Sequence, residues 1–300
     1  MRWGDLLMPK VLVTGGDSFT AQHLIPTLLS SGFDCHSTHL SRPDNKPNRH
    51  LCDITDCLAV EKIIKNVEPD YIIHLAGISF VGHPRPIEHY NVNVLATENL
   101  LKISSKYLPN VKKIILASSA NVYGRSKSTF IDEDVCPFPV NHYAASKLAM
   151  EHMAAAWMNR LPMTIVRPFN YTGRGQNTKY LVPKIVSHFA ERQSEIKLGN
   201  IDVARDFTDV RVICDYYLKL LLAENADGET INLCSGRLTS LSSILEATAK
   251  ITGHKIDIKV DPKFVRQSEI LQLRGNPEKL HKLIGVQAHP TIEDTINWML

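Results

Sequence analysis

The sequence predicts an α/β protein built on a doubly wound parallel sheet, with a smaller and partly interleaved α/β domain. Three observations predict this fold. β-rich and helix-like segments alternate through the first half of the chain, a glycine-containing turn joins the first pair, and the alternation becomes irregular beyond position 169. A chain of 300 residues, 44% hydrophobic and 22% charged, is long enough to bury a core of that size.

The first half begins with a short β-rich segment, Lys10 to Thr14, which is followed by a helix-like segment from Thr20 to Ser31. The later strand-like segments of this half are Phe33–Leu40, Tyr71–Leu75, Val111–Ala117 and Met163–Arg167. The helix-like segments between them are Ala59–Asn66, Asn91–Tyr107 and Tyr143–Asn159. Because strands that alternate with helices are joined by right-handed crossovers, this order predicts parallel strands with helices on both faces.

The second half departs from this order. The turn Asn170–Gln176, with the sequence NYTGRGQ, contains two glycines, and helix-like and extended segments then follow at uneven spacing. They are helix-like at Pro183–Ala190 and Val212–Leu222, and extended at Ile196–Gly199, Thr230–Cys234 and Lys255–Val260. We therefore predict two domains, one formed by 10–168 with 202–236 and the other by 169–201 with 237–300.

Net charge and cysteine usage argue against several classes of protein. The formal net charge is only +3, with lysine and arginine interspersed among acidic residues, so we expect no nucleic-acid partner. The six cysteines show neither CxxC pairing nor ligand spacing with histidine, so we expect reduced thiols and no metal site. No segment has the apolar length of a signal peptide or a membrane span. These features predict a cytoplasmic protein with no membrane partner.

The turn from Thr14 to Ala21 lies between the first strand and the first helix, where dinucleotide-binding folds hold a pyrophosphate. Glycine at this turn lets the backbone approach phosphate groups. The motif is incomplete, because Ser18 and Ala21 occupy the positions of its second and third glycines. The turn therefore predicts a Rossmann-type dinucleotide site, with a plain tight turn as the alternative.

The second predicted strand ends in Leu40, Ser41 and Arg42, where NAD-specific folds carry an acidic residue for the adenosine ribose. No carboxylate is present at these three positions. Arg42 could bind a 2′-phosphate, which favours NADP(H) and leaves NAD(H) possible. A solvated loop arginine is the alternative.

Tyr143 and Lys147 are one helical turn apart in the segment YAASKLAMEHMAA, so both side chains project from one face. A lysine ammonium near a phenol stabilises the phenolate, which suits a general acid for carbonyl reduction. Ser118 and Ser119 end the strand-like segment IILASS, where a hydroxyl could hold a substrate carbonyl. The alternatives are a surface Tyr–Lys pair without function and strand-end serines that bond the turn.

The motifs VTGGDSF, HLAG, NVLATENLL, SSANVYG and YAASK together resemble the extended short-chain dehydrogenase/reductases, the NAD-dependent epimerase/dehydratase superfamily. The resemblance covers the whole chain. The later segments RPFNYTGRGQ, GNIDVARDFTDV and NLCSG, with the R-x-S-E segment of Arg266 to Glu269, are most similar to the GDP-4-keto-6-deoxy-D-mannose reductases.

This resemblance implies a catalytic Ser119, Tyr143 as the proton donor, and Lys147 bound to the nicotinamide ribose. The residues that it places along the dinucleotide, besides Tyr143 and Lys147, are Gly15, Ser18, Phe19, Asp53, Ile54, Leu75, Ala76, Gly77, Arg167 and Pro168. It also implies that the second domain binds the sugar nucleotide, and that Asn170, Arg205, Arg266 and Glu269 contact this ligand. The alternatives are a surface ion pair for Arg205 with Asp206 and an (i, i+3) pair for Arg266 with Glu269.

The implied reaction is the NAD(P)H-dependent reduction of the C4 ketone of a GDP-linked 4-keto-6-deoxy sugar. Asn121 argues against a 4,6-dehydratase, because an amide cannot remove the carbon-bound proton that starts water elimination. A nucleotide-sugar 4-epimerase with retained NAD is the first alternative, and a non-catalytic dinucleotide sensor is a remote second one. The helices predicted at Asn91–Tyr107 and Tyr143–Asn159 resemble the superfamily's dimer-forming pair, so we expect a homodimer.

Overall fold

The computed structural model describes residues 8–41, 47–126, 128–262, 265 and 271–300. The chain divides into two compact units. The first consists of Met1–Val122, Asn141–Arg167 and Cys214–Ile231, and the second of Tyr123–Val140, Pro168–Ile213 and Asn232–Leu300. The predicted domains differ from these units in where they place 123–140, position 168, 202–213 and 232–236. That the first domain binds the dinucleotide and the second binds the sugar nucleotide stays a prediction.

The described residues form strands and helices in both units, and the two kinds of element alternate through the first unit. The strands are β1 (Lys10–Thr14), β2 (Asp34–His39), β3 (Arg49–Leu51), β4 (Tyr71–His74), β5 (Lys113–Ala117), β6 (Met163–Pro168), β7 (Asn170–Thr172), β8 (Glu195–Leu198), β9 (Ala204–Asp209), β10 (Thr230–Leu233), β11 (Leu238–Ser240), β12 (Asp257–Val260) and β13 (Gln272–Leu273). The helices are α1 (Phe19–Ser30), α2 (Cys57–Val67), α3 (Pro86–Tyr90), α4 (Ala96–Tyr107), α5 (His142–Ala155), α6 (Leu181–Ala190), α7 (Val210–Leu222), α8 (Leu241–Thr252), α9 (Glu278–Ile284) and α10 (Ile292–Met299). A π-helical turn, Asn91–Leu95, joins α3 to α4.

The central sheet has seven strands in the order β3-β2-β1-β4-β5-β6-β10. Strand β1 pairs in parallel with β2 on one side and with β4 on the other, so the strand order reverses at β1. In an open parallel sheet this reversal creates a crevice at the carboxyl ends of the two strands, which here are Thr14 and His74. The prediction of a doubly wound Rossmann sheet is confirmed.

Helix α2 shows how the sequence produces this architecture. Four of its apolar residues recur at helical spacing and are buried, namely Val60, Ile63, Ile64 and Val67. The Asp56 carboxylate caps the helix by accepting bonds from the Leu58 and Ala59 amides at 2.9 and 3.2 Å. The buried face joins the apolar cluster formed by α4 and the centre of the sheet. Burial of one such side chain contributes about 1.5–3 kcal/mol.

In the second unit, β9 pairs with β11, β13 and β7, and a separate parallel pair joins β8 to β12. Helices α6, α8 and α10 cover an apolar cluster in this unit. Strand β7 occupies the start of the segment that the sequence predicts as a turn, so that prediction is wrong for Asn170–Thr172. Among the described residues, no helix combines the length and the apolar character that crossing a membrane requires.

Candidate active site

The glycine turn after β1 requires glycine at its first position. Gly15 has φ +74°, and a Cβ added there would lie 2.8 Å from both Cα and N of Ala76 in the loop after β4. No side chain fits that gap, because real Cβ atoms do not approach a backbone so closely. The turn therefore brings the backbone of β1 against the backbone of β4 at the crevice.

Ser18, which replaces a glycine of the motif, caps helix α1. Its Oγ accepts a hydrogen bond from the Ala21 amide at 3.2 Å, and its backbone is extended. The amides of the first helical turn lie beside it, and a helix N-terminus favours an anion. The serine thus performs a local structural role that glycine does not, while the helix N-terminus is retained.

A cavity of about 950 Å³ lies within the first unit, along the crevice. Its lining includes seven residues that the sequence predicts as cofactor contacts: Gly15, Ser18, Asp53, Ile54, Leu75, Ala76 and Gly77. Phe19 is not among the lining residues, and its ring lies edge-on to His23 with the centroids 5.2 Å apart. Asp53 accepts bonds from the Thr55 amide and hydroxyl at 2.9 and 2.7 Å. That these residues bind a dinucleotide stays a prediction.

The end of β2 carries a cluster that the sequence does not reveal. The strand ends at His39, whose side chain is 2% exposed and whose Nδ1 lies 2.7 Å from the Asp17 carboxylate. Arg49 Nε lies 3.1 Å from His39 Nε2. The Arg49 Nη2 atom lies 3.1 Å from His39 Nδ1, so the guanidinium contacts both ring nitrogens. The predicted 2′-phosphate contact, Arg42, lies outside the described residues.

The predicted catalytic helix is α5. Asn141 caps it by accepting from the Ala144 amide at 2.8 Å, which starts the helix just before Tyr143. Tyr143 and Lys147 are 7% and 6% exposed, so the alternative of a surface pair is wrong. Lys147 Nζ donates to the carbonyl of Ala117, the last residue of β5, at 2.7 Å. This bond fixes the ammonium at the carboxyl end of the sheet.

Ser119 follows β5 and is nearly buried. Its Oγ accepts bonds from the backbone amide and the side-chain amide of Asn121, at 3.2 and 3.1 Å. These two bonds use the acceptor capacity of the hydroxyl, so its one proton is directed elsewhere. Ser119 is therefore arranged as a donor. Asn121 orients that donor.

The electrostatics around Lys147 favour proton transfer near neutral pH. Burial lowers the pKa of Lys147 to about 8, and the charge of Glu151 opposes that shift. Burial, together with Lys147, lowers the pKa of His74 to about 3, so the imidazole stays neutral. His74 bonds the hydroxyls of Thr14 and Thr97 at 2.7 and 2.9 Å, which links β1, β4 and α4. The pKa of Lys147 therefore lies near physiological pH, whereas the pKa of His74 lies far below it.

We expect kcat/KM for reduction to fall by about tenfold per pH unit as pH rises through about 8, because the ammonium that supports Tyr143 is then lost. The folded pKa lies below that of unfolded lysine, so this group costs stability at low pH and the cost disappears as pH rises. A pH profile of kcat/KM, with urea unfolding at each pH, separates the two effects. The Lys147→Arg variant keeps its charge and should lack the alkaline limb; a limb with the same midpoint would assign the titration to another group.

A buried ion pair supports the ends of β5 and β6. The Arg167 guanidinium donates to both oxygens of Glu151, at 3.0 and 2.7 Å, and Ser118 donates to the same carboxylate. Both charged side chains are less than a tenth exposed. Ser118 therefore bonds a carboxylate on α5 and not the turn that follows β5. The predicted nicotinamide contact of Arg167 stays a prediction.

Asn93, in the π-helical turn, is a site residue that the sequence analysis misses. Its carboxamide accepts from the Ile78 amide at 2.9 Å and donates to the Ile78 carbonyl at 3.2 Å and to Ser146 Oγ at 3.0 Å. Ser146 in turn donates to the Tyr143 carbonyl at 2.8 Å. Asn93 is fully buried and thus ties the cavity loop after β4 to the catalytic helix. The signal available in the sequence is a polar residue on the apolar side of a predicted helix.

The predicted sugar-nucleotide contacts belong to the second unit or lie outside the description. Asn170 begins β7 and is exposed, and Arg205 on β9 donates to the Ala204 and Leu271 carbonyls at 2.9 and 3.1 Å. Asp206 is fully buried and accepts from backbone amides of 235, 236 and 275, so a surface Arg205–Asp206 pair is wrong. Pro168 ends β6, while Arg266 and Glu269 lie outside the described residues. The substrate roles stay predictions.

Comparison with known proteins decides the family. Residues 12–299 match the family described as GDP-mannose 4,6-dehydratase. The chain belongs to this family. The match confirms the resemblance to the epimerase/dehydratase branch of the short-chain dehydrogenase/reductases.

Two curated relatives and one solved structure place the chain within the GDP-mannose 4,6-dehydratase family. GDP-6-deoxy-D-talose 4-dehydrogenase from Aggregatibacter actinomycetemcomitans is 37% identical over 92% of this chain and 91% of its own length. GDP-6-deoxy-D-mannose reductase from Pseudomonas aeruginosa is 32% identical over 97% and 96%. The structure of RMD from Pseudomonas aeruginosa complexed with NADPH superposes with a TM-score of 0.85, at 28% identity over 97% of each chain.

Family membership and these relatives make the chain an NAD(P)-dependent enzyme of the nucleotide-sugar oxidoreductase and epimerase class. The cofactor is a nicotinamide dinucleotide. A Cβ on Gly77, a residue of the cavity lining, would lie 3.4 Å from Lys147 Nζ. The lining therefore comes close to the predicted contact of the nicotinamide ribose, as a site for this cofactor requires.

Proposed function

We propose that this enzyme reduces the C4 ketone of GDP-4-keto-6-deoxy-D-mannose, or of a close relative, with NADPH. The observation that carries the proposal is the set of buried donors on α5 and at the end of β5. Tyr143 and Lys147 project from one face of α5, and Ser119 is oriented as a donor at the end of β5. Three groups so arranged stabilise and protonate the oxyanion that forms when a ketone is reduced.

The bound dinucleotide supplies the hydride. Tyr143 donates its phenolic proton to the oxygen that becomes the C4 hydroxyl, and Ser119 donates a hydrogen bond to the same oxygen. The bond to the Ala117 carbonyl holds the Lys147 ammonium at the end of β5, and the ammonium stabilises the phenolate that remains on Tyr143. Asn93 bonds both the loop after β4 and α5, which fixes the position of the Tyr143 helix relative to that loop of the cavity.

The names of the two relatives support the same ketone as the substrate of this enzyme. D-Talose and D-mannose differ only in configuration at C4, so oxidation of GDP-6-deoxy-D-talose at C4 gives the same ketone whose reduction gives GDP-6-deoxy-D-mannose. GDP-4-keto-6-deoxy-D-mannose is therefore the product of the first reaction and the substrate of the second. Asn121 supports simple hydride transfer over water elimination, since its amide bonds Ser119 and cannot act as a base. The face of the ketone that receives the hydride fixes the product.

The cluster at the end of β2 supports the preference for NADPH. A carboxylate that accepts from the ribose hydroxyls is the mark of NAD-specific folds, and here His39 ends the strand. Asp17 is the nearby acid, and its carboxylate bonds His39 and lies 3.5 Å from Arg49. Arg49 is partly exposed, so its guanidinium can reach a 2′-phosphate. Arg49 is therefore a second candidate for the 2′-phosphate contact that the sequence predicts at Arg42.

Replacement of Arg49 by alanine should raise the KM for NADPH by about 10- to 100-fold, because a charge-assisted bond to the 2′-phosphate is lost. The KM for NADH should change little. The control is Arg160→Ala, which removes a guanidinium packed on Trp157. Equal losses with both cofactors would show that Arg49 supports the turn structurally and does not read the phosphate.

The decisive experiment follows nicotinamide absorbance with purified enzyme, GDP-4-keto-6-deoxy-D-mannose and either NADPH or NADH, and then identifies the sugar. Stoichiometric oxidation coupled to one new deoxyhexose supports the reductase. Protein that retains tightly bound NAD and interconverts two sugars without net reductant is the 4-epimerase instead. We propose that the enzyme acts as a cytoplasmic homodimer, which sedimentation of the purified protein tests for the oligomeric state.

A further inference from the structure

His89 lies beside the catalytic tyrosine and has an unusual environment. It is 1% exposed, on α3, and its ring packs against the Tyr143 ring with centroids 5.9 Å apart and planes inclined by 51°. His89 Nδ1 is buried and has no hydrogen-bond partner among the residues that the structure describes. A buried polar atom left in this state costs free energy, so it requires a partner that binds there.

The other ring nitrogen determines what kind of partner that is. A hydrogen bond with the Ile78 backbone raises the pKa of His89, as a ring N–H that donates to a carbonyl does. Because Nδ1 has no partner among the described residues, we assign this bond to Nε2. Burial and the neighbours His83, His142 and Lys147 lower the pKa of His89, so the ring is neutral at neutral pH. Nδ1 therefore carries a lone pair and can only accept a hydrogen bond. Its missing partner is a hydroxyl or an amine.

The neighbouring histidines differ from His89. His83 Nδ1 lies 3.2 Å from the Arg85 amide, and its Nε2 lies 3.3 Å from the Glu88 carboxylate. His142 Nδ1 lies 3.1 Å from the Tyr90 hydroxyl. The ring nitrogens of His83 and His142 named here therefore have protein partners. His89 is the histidine of this cluster that combines burial, contact with Tyr143 and a vacant acceptor.

We propose that His89 Nδ1 accepts a hydrogen bond from the C3 hydroxyl of the bound sugar, which makes His89 a specificity-determining residue. This inference rests on the proposed function, in which C4 of the sugar lies at Tyr143. In a 4-keto-6-deoxyhexose, C5 carries only the ring oxygen and the methyl carbon, so C3 bears the one hydroxyl adjacent to C4. With C4 at the Tyr143 phenol, the C3 hydroxyl is the one neighbouring hydroxyl that can donate to a side chain packed against that phenol.

The test compares GDP-4-keto-6-deoxy-D-mannose with its analogue that lacks the C3 hydroxyl, using wild-type enzyme, His89→Phe and His142→Phe. Wild-type enzyme should lose about 10- to 100-fold in kcat/KM with the analogue, because the acceptor is left unpaired. His89→Phe keeps a ring against Tyr143 and should turn over the two substrates alike. His142→Phe, which alters an exposed neighbour of Tyr143, should discriminate as wild type does.

Wild-type turnover of the hydroxylated substrate is read first and decides the proposed function by itself. Active wild-type enzyme with the same discrimination ratio in His89→Phe would overturn the role of His89 alone, and would assign Nδ1 to a buried water. If His89→Phe does not fold, histidine ¹⁵N spectra of wild-type enzyme give the answer. The Nδ1 resonance of His89 should move on addition of the hydroxylated substrate without cofactor and stay in place with the deoxy analogue; no movement with either would overturn the proposal.

Discussion

Replacement of Tyr143 by phenylalanine should lower kcat for ketone reduction by about 100- to 10,000-fold, because the proton donor to the oxyanion is removed. The phenyl ring preserves the packing against His89, and Lys147 keeps its bond to the Ala117 carbonyl. Dinucleotide affinity should therefore stay nearly constant. Single-turnover reduction, with NADPH binding measured by fluorescence titration, separates the chemical step from binding.

A second buried tyrosine provides the control for this variant. Tyr123 is fully buried, and its hydroxyl donates to Asn232 Oδ1 at 2.7 Å. Tyr123→Phe loses one such bond and should lower the free energy of unfolding by about 1 kcal/mol with little change in kcat. If Tyr143→Phe also affects only stability, the proton comes from another group and the assignment of α5 as the catalytic helix is wrong.

Replacement of Gly15 by alanine should abolish measurable dinucleotide binding. The added Cβ meets the Ala76 backbone at 2.8 Å, so the loop after β4 has to move away from β1, and the cavity changes shape where the pyrophosphate would lie. The positive φ of Gly15 adds about 1–2 kcal/mol of strain, and the overlap adds about 1–3 kcal/mol. Calorimetric titration with NADPH and urea unfolding measure the two consequences.

Gly32 is the matched control, because its φ of +85° imposes the same backbone strain while a Cβ there meets nothing within 4 Å. Gly32→Ala should lose only the strain energy and should bind NADPH as wild type does. The difference in unfolding free energy between the two variants then measures the contact with Ala76. Equal effects on stability and unchanged binding in Gly15→Ala would mean that the approach of the two loops has no role in holding the cofactor.

The fold of the first unit follows from local sequence because its strands are buried runs and its helices are amphipathic. The predicted bounds of β1 match the structure, and α2 has its buried residues at helical spacing. Strand β9 has the polar sequence ARDFTD, which no periodicity rule identifies as buried. Its burial depends on Asp206, whose carboxylate is satisfied by amides from residues far along the chain. Long-range bonds of this kind cannot be read from one sequence.

The candidate site divides in the same way. Ser119, Tyr143 and Lys147 could be predicted from motif order and a shared helix face, and the structure buries all three. Asn93 and His39 could not, because their importance lies in partners from other elements: Ile78 and Ser146 for one, Asp17 and Arg49 for the other. The predicted end of the second strand, Leu40, differs from the observed end, His39, by one residue.

The π-helical turn at Asn91–Leu95 constrains the length of this part of the gene. A π turn contains one residue more than an α turn, and each residue of a helix rotates the chain by about 100°. Deletion of one residue within the turn would restore a regular helix and turn α3 away from its present orientation, so His89 and Asn93 could not both keep their partners. Evolution of this segment is therefore free to exchange exposed residues but not to add or remove one.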